Sequence, residues 1–173
     1  MFTPDGLVAM RAVVAVVLLV TAVHAAMWGV FWEKQQAPDF RGILPSVSYA
    51  PFERGHTVAD SIGDSEKIRA DLKKLSTLTR AVRLYSSTEG NELVPPVAAE
   101  FGLKVMVGAW IDKNTDRNER EILSAIELAK RNSNVIGVVV GNETIYRGEQ
   151  KVEDLIELIK RVKKSVNVPV TTG

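Results

Sequence analysis

Cysteine is absent from this chain, which excludes a disulfide framework, a thiolate nucleophile and a Cys-ligated zinc. Histidine is nearly absent: His24 lies in an apolar run and His56 in a glycine-containing loop, so no cluster offers a metal site or a Ser-His pair. Excess charge is missing too. With 22 basic and 21 acidic residues the formal net charge is +1, and without a basic patch there is no electrostatic case for nucleic acid. No strand-like run is followed by Gly-x-Gly-x-x-Gly and no Gly-Lys-Ser/Thr occurs, which argues against a dinucleotide-binding sheet and a phosphate-loop enzyme. There is no low-complexity tract and no exact repeat. No metal and no cofactor is implied.

What the chain does have is a long apolar segment. Residues 12–32, AVVAVVLLVTAVHAAMWGVFW, contain no ionisable side chain except His24, and about 20 such residues cross a bilayer core. Arg11 precedes the segment, and Trp28 and Trp32 stand near its far end, as expected for a cytoplasmic N-terminus and an interfacial aromatic belt beyond it. Val23-His24-Ala25, followed by Ala26, also resembles a small-residue cleavage site, so a cleaved signal peptide competes with an uncleaved anchor. The spanning length favours the anchor, and both readings export the rest of the chain. A buried soluble helix is the weakest reading, since nearly every face of the segment is apolar.

The expected organisation is a transmembrane or signal-anchor segment over 1–32, a polar tether over 33–41 containing Pro38, and a folded domain over 42–173. Within that domain strand-like and helix-like runs alternate. Strands are expected at 43–49, 81–85, 104–111, 135–140 and 168–171; helices at 65–78, 93–101, 117–131 and 151–166. The helices rest on periodicity: Ile122, Ala125, Ile126 and Ala129 mark one apolar face, and Val152, Leu155, Ile156, Ile159 and Val162 another. Asp64 or Ser65 is expected to cap the first of them, and Asp116 with Glu119 has capping-box spacing. This βα alternation implies a parallel sheet. An open doubly wound sheet and part of a barrel both fit the order, and the residues at the strand ends favour the barrel.

The most informative of those ends is Val140-Gly141-Asn142-Glu143, directly after the apolar run 135–139. A buried parallel strand that finishes by presenting an amide beside a carboxylic acid places both where α/β barrels keep their chemistry. Glu143 is the candidate acid, suited to protonating a glycosidic oxygen; a solvated loop glutamate is the alternative. Arg83 interrupts the apolar run Ala81-Val82-Arg83-Leu84-Tyr85 and needs an acceptor, either in a barrel mouth or in a structural ion pair. Tyr49, Tyr85 and Trp110 fall at or near strand ends, where aromatic planes beside polar groups suit sugar rings, although each alone also fits core packing. The loop 112–116 is expected to start a helix.

Taken together, Ser48-Tyr49, Val82-Arg83-Leu84-Tyr85 and Val139-Val140-Gly141-Asn142-Glu143 resemble glycoside hydrolase family 17, the β-1,3-glucanase family, over residues 42–173. The likeness is nearest to bacterial membrane-anchored members, some of which are fused to a glycosyltransferase domain. The resemblance implies a (β/α)8 TIM barrel acting with retention on β-glucan. It implies Glu143 as general acid/base, Asn142 beside it at the substrate, Arg83 supporting the nucleophile, and Tyr49 and Tyr85 lining the cleft; Trp110 is a further candidate substrate contact from its strand-end position alone. It also implies the bacterial inner membrane with the domain facing the periplasm or exterior, or secretion after cleavage. The family's nucleophile follows a seventh strand, whereas the order here reaches five. The expectation is therefore a barrel truncated after about five strands, poorly active by itself, with a C-terminal continuation or a fused domain elsewhere. A non-catalytic glucan-binding module is the alternative.

Overall fold

A computed structural model describes residues 4–32, 40, 42–51 and 64–173. Most of the expected tether and the loop that carries His56 lie outside the described residues. The chain divides into two compact units, Met1–Arg41 and Gly42–Gly173.

The first unit holds helix α1, Pro4–Phe31, which starts earlier than the apolar run alone indicates. Its apolar stretch Gly6–Phe31 has 26 residues, about 39 Å at 1.5 Å per residue, more than the ~30 Å of a bilayer core. Val8, Leu18, Val30 and Phe31 are all exposed along it. Two of its polar side chains bond to the helix backbone: Thr21 Oγ1 donates to the Val17 carbonyl and His24 Nδ1 to that of Val20, each at 2.9 Å. That arrangement removes the cost of an unpaired donor in an apolar medium.

The second unit is a parallel sheet with helices between its strands. The elements are β1 Val47–Ser48, α2 Ser65–Leu75, β2 Ala81–Arg83, α3 Val94–Glu100, β3 Lys104–Ala109, α4 Thr115–Arg131, β4 Val135–Val140, α5 Val152–Ser165 and β5 Val170–Thr171. Spatial order equals chain order, β1-β2-β3-β4-β5, and every pairing is parallel. Crossovers in such sheets are right-handed, so sequential order puts all the helices on one face. A doubly wound sheet would reverse its order at a switch point. The sheet is compatible with part of a TIM-barrel-like glycosidase.

The two faces differ in chemistry. Register aligns Val47, Val82, Val105 and Val135 across four strands, and these valines pack with Ile68, Leu72, Ile122, Leu155 and Val162 of the helices in one core. The opposite face carries Ser48, Arg83, Met106 and Gly137 in one row and Gly108, Val139 and Thr171 in another. One irregularity interrupts the ladder: Val105 pairs with Val135 but Met106 with Gly137, leaving Ile136 as the extra residue of a bulge, 43% exposed.

Local chemistry sets the helix ends. Asp64 caps α2, its Oδ1 accepting from the Glu66 amide at 2.9 Å. Asn114, not the Asp116 pattern, caps α4, accepting from the Arg117 amide at 3.0 Å. Asp112 Oδ1 in turn accepts from the Asn114 amide at 2.7 Å, so the turn starts the helix before the capping-box spacing can act. Pro95 and Pro96 occupy the first turn of α3, where their missing amide hydrogens cost least. Strands β1 and β2 are shorter than the apolar runs 43–49 and 81–85, because Leu44 joins only through an isolated bridge to Thr79 and the chain leaves the ladder after Arg83.

Candidate active site

All the strand ends that carry polar or aromatic residues point the same way, since parallel strands share one carboxyl edge. At the end of β4 the backbone makes a sharp double departure. Gly141 has φ 76° and Glu143 φ 53°, both in the left-handed region. A Cβ at Gly141 would lie 2.5 Å from Thr144 Oγ1, so both its torsion and its surroundings require glycine. Glu143 adopts the same region without that freedom, at a cost on the order of 1 kcal/mol. Hydrogen bonds hold the turn from both sides: the Gly141 amide donates to the Ala109 carbonyl at 2.8 Å, and the Glu143 amide to that of Gly173 at 2.9 Å.

A continuous set of contacts runs through the turn. Ser48 Oγ and the Tyr85 hydroxyl lie 3.0 Å apart. The Arg83 guanidinium carbon stands 5.0 Å from the centre of the Tyr85 ring, and Arg83 Nη2 donates to Asn142 Oδ1 at 2.9 Å. A Cβ at Gly173 would approach Nη2 to 2.6 Å, so the bare glycine leaves Arg83 its place. Arg147 continues the path: Nε and Nη2 donate to the Asn142 carbonyl at 3.2 and 3.0 Å, Nη2 also to that of Ile111 at 3.2 Å, and the guanidinium carbon lies 4.3 Å from the centre of the Trp110 ring. Arg83 Nε is buried with no hydrogen-bond partner among the described residues.

Arg83, Asn142, Tyr85 and, through Arg147, Trp110 are thus linked in one set of contacts, with Glu143 next to Asn142 in the chain and its side chain in a different groove. The Glu143 side chain is exposed and lines a groove of about 410 Å³ with Thr144, Tyr146, Leu155, Thr172 and Gly173. Tyr85 and Trp110 border a second cleft of about 330 Å³ with Ser86, Asn91, Arg117 and Glu121. Tyr49 lies elsewhere: its ring joins the helix-side core, and its hydroxyl donates to Asp71 Oδ2 at 3.2 Å. Burial first, and then the Asp71 carboxylate, push the Tyr49 hydroxyl well above the ordinary tyrosine range. Asp112 belongs to the helix-starting turn, paired with Arg117 at 3.0 Å.

Three participants escaped the reading of the sequence. Gly108 admits the neighbouring backbone: a Cβ there would sit 2.3 Å from the Leu84 carbonyl oxygen and 2.7 Å from Tyr85 Cα. Arg147 lies in a polar loop without periodicity and left no signal. Glu121 did leave one, because it stands four residues before Ala125 on the apolar face of α4, where an ionisable residue is out of place.

Comparison with known proteins shows the family. A profile of the BtgE/BtgC glycoside hydrolase domain matches residues 46–173. The chain belongs to that family. Relatives include "Glucan endo-1,3-beta-glucosidase btgC" of Emericella nidulans, 31% identical over 137 residues that cover 72% of this chain and 21% of the relative. "Probable glucan endo-1,3-beta-glucosidase btgC" of Aspergillus terreus is 26% identical over 153 residues, covering 79% of this chain and 23% of the relative. The chain spans about a fifth of the length of these curated relatives of the BtgE/BtgC glycoside hydrolase family.

Proposed function

We propose that residues 42–173 form part of the barrel of a retaining β-1,3-glucan-active hydrolase or transglucosylase of glycoside hydrolase family 17, in which Glu143 is the general acid/base. The Arg83–Asn142 hydrogen bond carries this reading, because it joins the ends of β2 and β4 across 59 residues and sets an ordered amide beside the glutamate. The relatives' names supply the substrate class.

In this reading Glu143 gives its proton to the glycosidic oxygen while a second carboxylate attacks the anomeric carbon, so the C–O bond to the leaving sugar breaks as a glycosyl-enzyme ester forms. Glu143, now ionised, takes a proton from water or from an acceptor sugar hydroxyl, which displaces the ester. The two carboxyl groups need a separation of about 5–5.5 Å, and in the resembled family the second follows a seventh strand. With Asn142 Oδ1 taken by Arg83, the Nδ2 hydrogens are the part of that amide left to meet a sugar hydroxyl. The unpartnered Arg83 Nε is a donor for the second carboxylate. Tyr85 and Trp110 offer ring faces to the glucan, and the placement of Tyr49 against Asp71 gives it a packing role instead. Helix α1 serves as an uncleaved anchor in a bacterial inner membrane with the second unit exported, cleavage and secretion being the alternative.

Glu143→Gln in the complete enzyme, which carries the second carboxylate as well, tests the assignment. Turnover of laminari-oligosaccharides is expected to fall by about 10²–10⁴-fold with binding retained; wild-type turnover in the variant refutes it. The exposed side chain of Glu143 favours one second reading, a glucan-binding module without catalysis. Binding without cleavage by the complete protein selects that reading.

A further inference from the structure

We propose that Glu121 is a positioning residue of the cleft: its buried carboxylate sets the spacing of Tyr85 and Trp110 by gripping the chain after β2 and after β3 with a single group. The inference rests on the glucan reading for what the cleft binds, and on the hydrogen bonds alone for what holds its walls.

Glu121 is 2% exposed and lies on the inner face of α4. None of the ion pairs among the described residues includes it, so neutral donors compensate its charge. Oε1 accepts from Ser86 Oγ at 2.6 Å and from Thr88 Oγ1. Oε2 accepts from the Ser87 amide at 2.9 Å and from the Trp110 amide at 3.0 Å, and Ser87 Oγ, which donates to the Glu121 carbonyl, lies 3.2 Å from it. A carboxylate has about four lone-pair sites, and these donors saturate it. The same helix face reinforces the grip, since Ser124 Oγ donates to the Ser87 carbonyl and Ser87 Oγ to the Glu121 carbonyl.

The partners fall at the positions that matter for the cleft. Ser86 directly follows Tyr85, and the Trp110 amide is held without an intermediary. Both segments have just left the ladder, so the Ser87 and Trp110 amides have no strand partner and need an acceptor inside the fold. Glu121 is that acceptor for both, which locks one wall of the cleft to the other.

The two oxygens have unequal duties. Oε2 faces backbone amides, which cannot reverse, whereas two of the donors are hydroxyls on Oε1, which can turn and accept. Glutamine can therefore replace the glutamate with its carbonyl on the amides and its NH2 on the hydroxyls. The site needs an acceptor of this length more than it needs the charge.

Fluorine NMR of the full chain labelled with fluorotryptophan reads the result, with the Trp110 signal assigned by Trp110→Phe, alongside titration with laminaripentaose. Glu121→Gln is expected to keep the wild-type Trp110 signal and affinity. Glu121→Ala is expected to move that signal, leave those of Trp28 and Trp32 in place, and weaken binding about tenfold. A wild-type Trp110 signal in a folded Glu121→Ala variant overturns the proposal. Should that variant fail to fold, Ser86→Ala must move the signal or weaken binding about threefold, and the proposal falls if it does neither. If the wild-type chain binds no glucan, the glucan reading fails while the Trp110 signal still decides the role of Glu121.

Discussion

Gly108→Ala puts the placement of Tyr85 to a stringent test, because the atoms in the way are backbone. The added carbon would lie 2.3 Å from the Leu84 carbonyl oxygen, 2.6 Å from the Tyr85 carbonyl carbon and 2.7 Å from Tyr85 Cα, against a floor of 3.0 Å for real contacts. No rotamer change relieves that, so β2 and β3 must part by roughly 0.7 Å, and the bond from the Leu84 amide to the Met106 carbonyl, 2.9 Å, stretches with them. Overpacking of this kind costs about 1–3 kcal/mol, and the lower entropy of an unfolded alanine returns about 0.4–1 kcal/mol. The net loss is about 1–2 kcal/mol, or roughly 4–8 °C in melting temperature for a unit of this size. Gly137→Ala is the matched control on the same face. Its added carbon would meet the mobile Met106 methyl at 3.3 Å and the Pro169 oxygen at 3.4 Å, and it should melt within a few degrees of wild type. Thermal melts followed by circular dichroism compare the two. A Gly108→Ala protein that melts at or above the wild-type temperature refutes the reasoning.

Tyr49→Phe tests the alkaline limb of stability. Above pH 10 the unfolded chain loses the Tyr49 proton while the folded chain keeps it, so stability falls by up to about 1.4 kcal/mol per pH unit; denaturant titrations of the variant should show a flatter limb, and an unchanged one refutes the burial argument. Asn114→Ala should cost about 1 kcal/mol in the same titration and Asp116→Ala less than half of that, since only Asn114 accepts from an α4 amide as cap; the reverse order would restore the capping-box reading. Arg83→Met removes the donor to Asn142 together with a half-buried cation whose Nε lacks a partner among the described residues. These oppose one another, so stability should hold within about 1.5 kcal/mol while turnover drops; a larger loss of stability with turnover intact would make Arg83 a structural ion.

Order and periodicity made the sheet legible in the sequence. The unbroken run 135–139 reads as a strand buried on both faces, and the apolar stripe through Ile122 and Ala125 places α4 against it. The ends of elements were harder. Hydrophobicity continues through Ile43 and Tyr85, while pairing stops where the chain turns away, the Leu84 amide making the last bond to β3, to the Met106 carbonyl. The turn at Asp112–Asn114 overrode a pattern two residues later. At the site, Arg83 and Asn142 are recognisable because each is polar at the end of an apolar strand, yet their bond spans 59 residues and no local pattern encodes it. Arg147 is visible only after folding, since its meaning comes from the Ile111 carbonyl and the Trp110 ring, supplied by the segment after β3. Tyr49 shows the limit of reading strand ends: alternation across the ladder turned it toward Asp71.

The left-handed backbone of Glu143 carries a consequence for anyone improving this protein by selection. At φ 53° the chain would rest more easily on glycine or asparagine, so Glu143→Gly should raise stability by up to about 1 kcal/mol, strain relief less about 0.4–1 kcal/mol for the freer unfolded chain, while deleting the proposed acid. Robustness and chemistry pull position 143 in opposite directions. If Glu143 has the proposed role, a library screened for heat resistance alone would enrich disarmed clones, and an ancestor inferred by favouring stable residues would lose its carboxyl group where the proposed chemistry needs it.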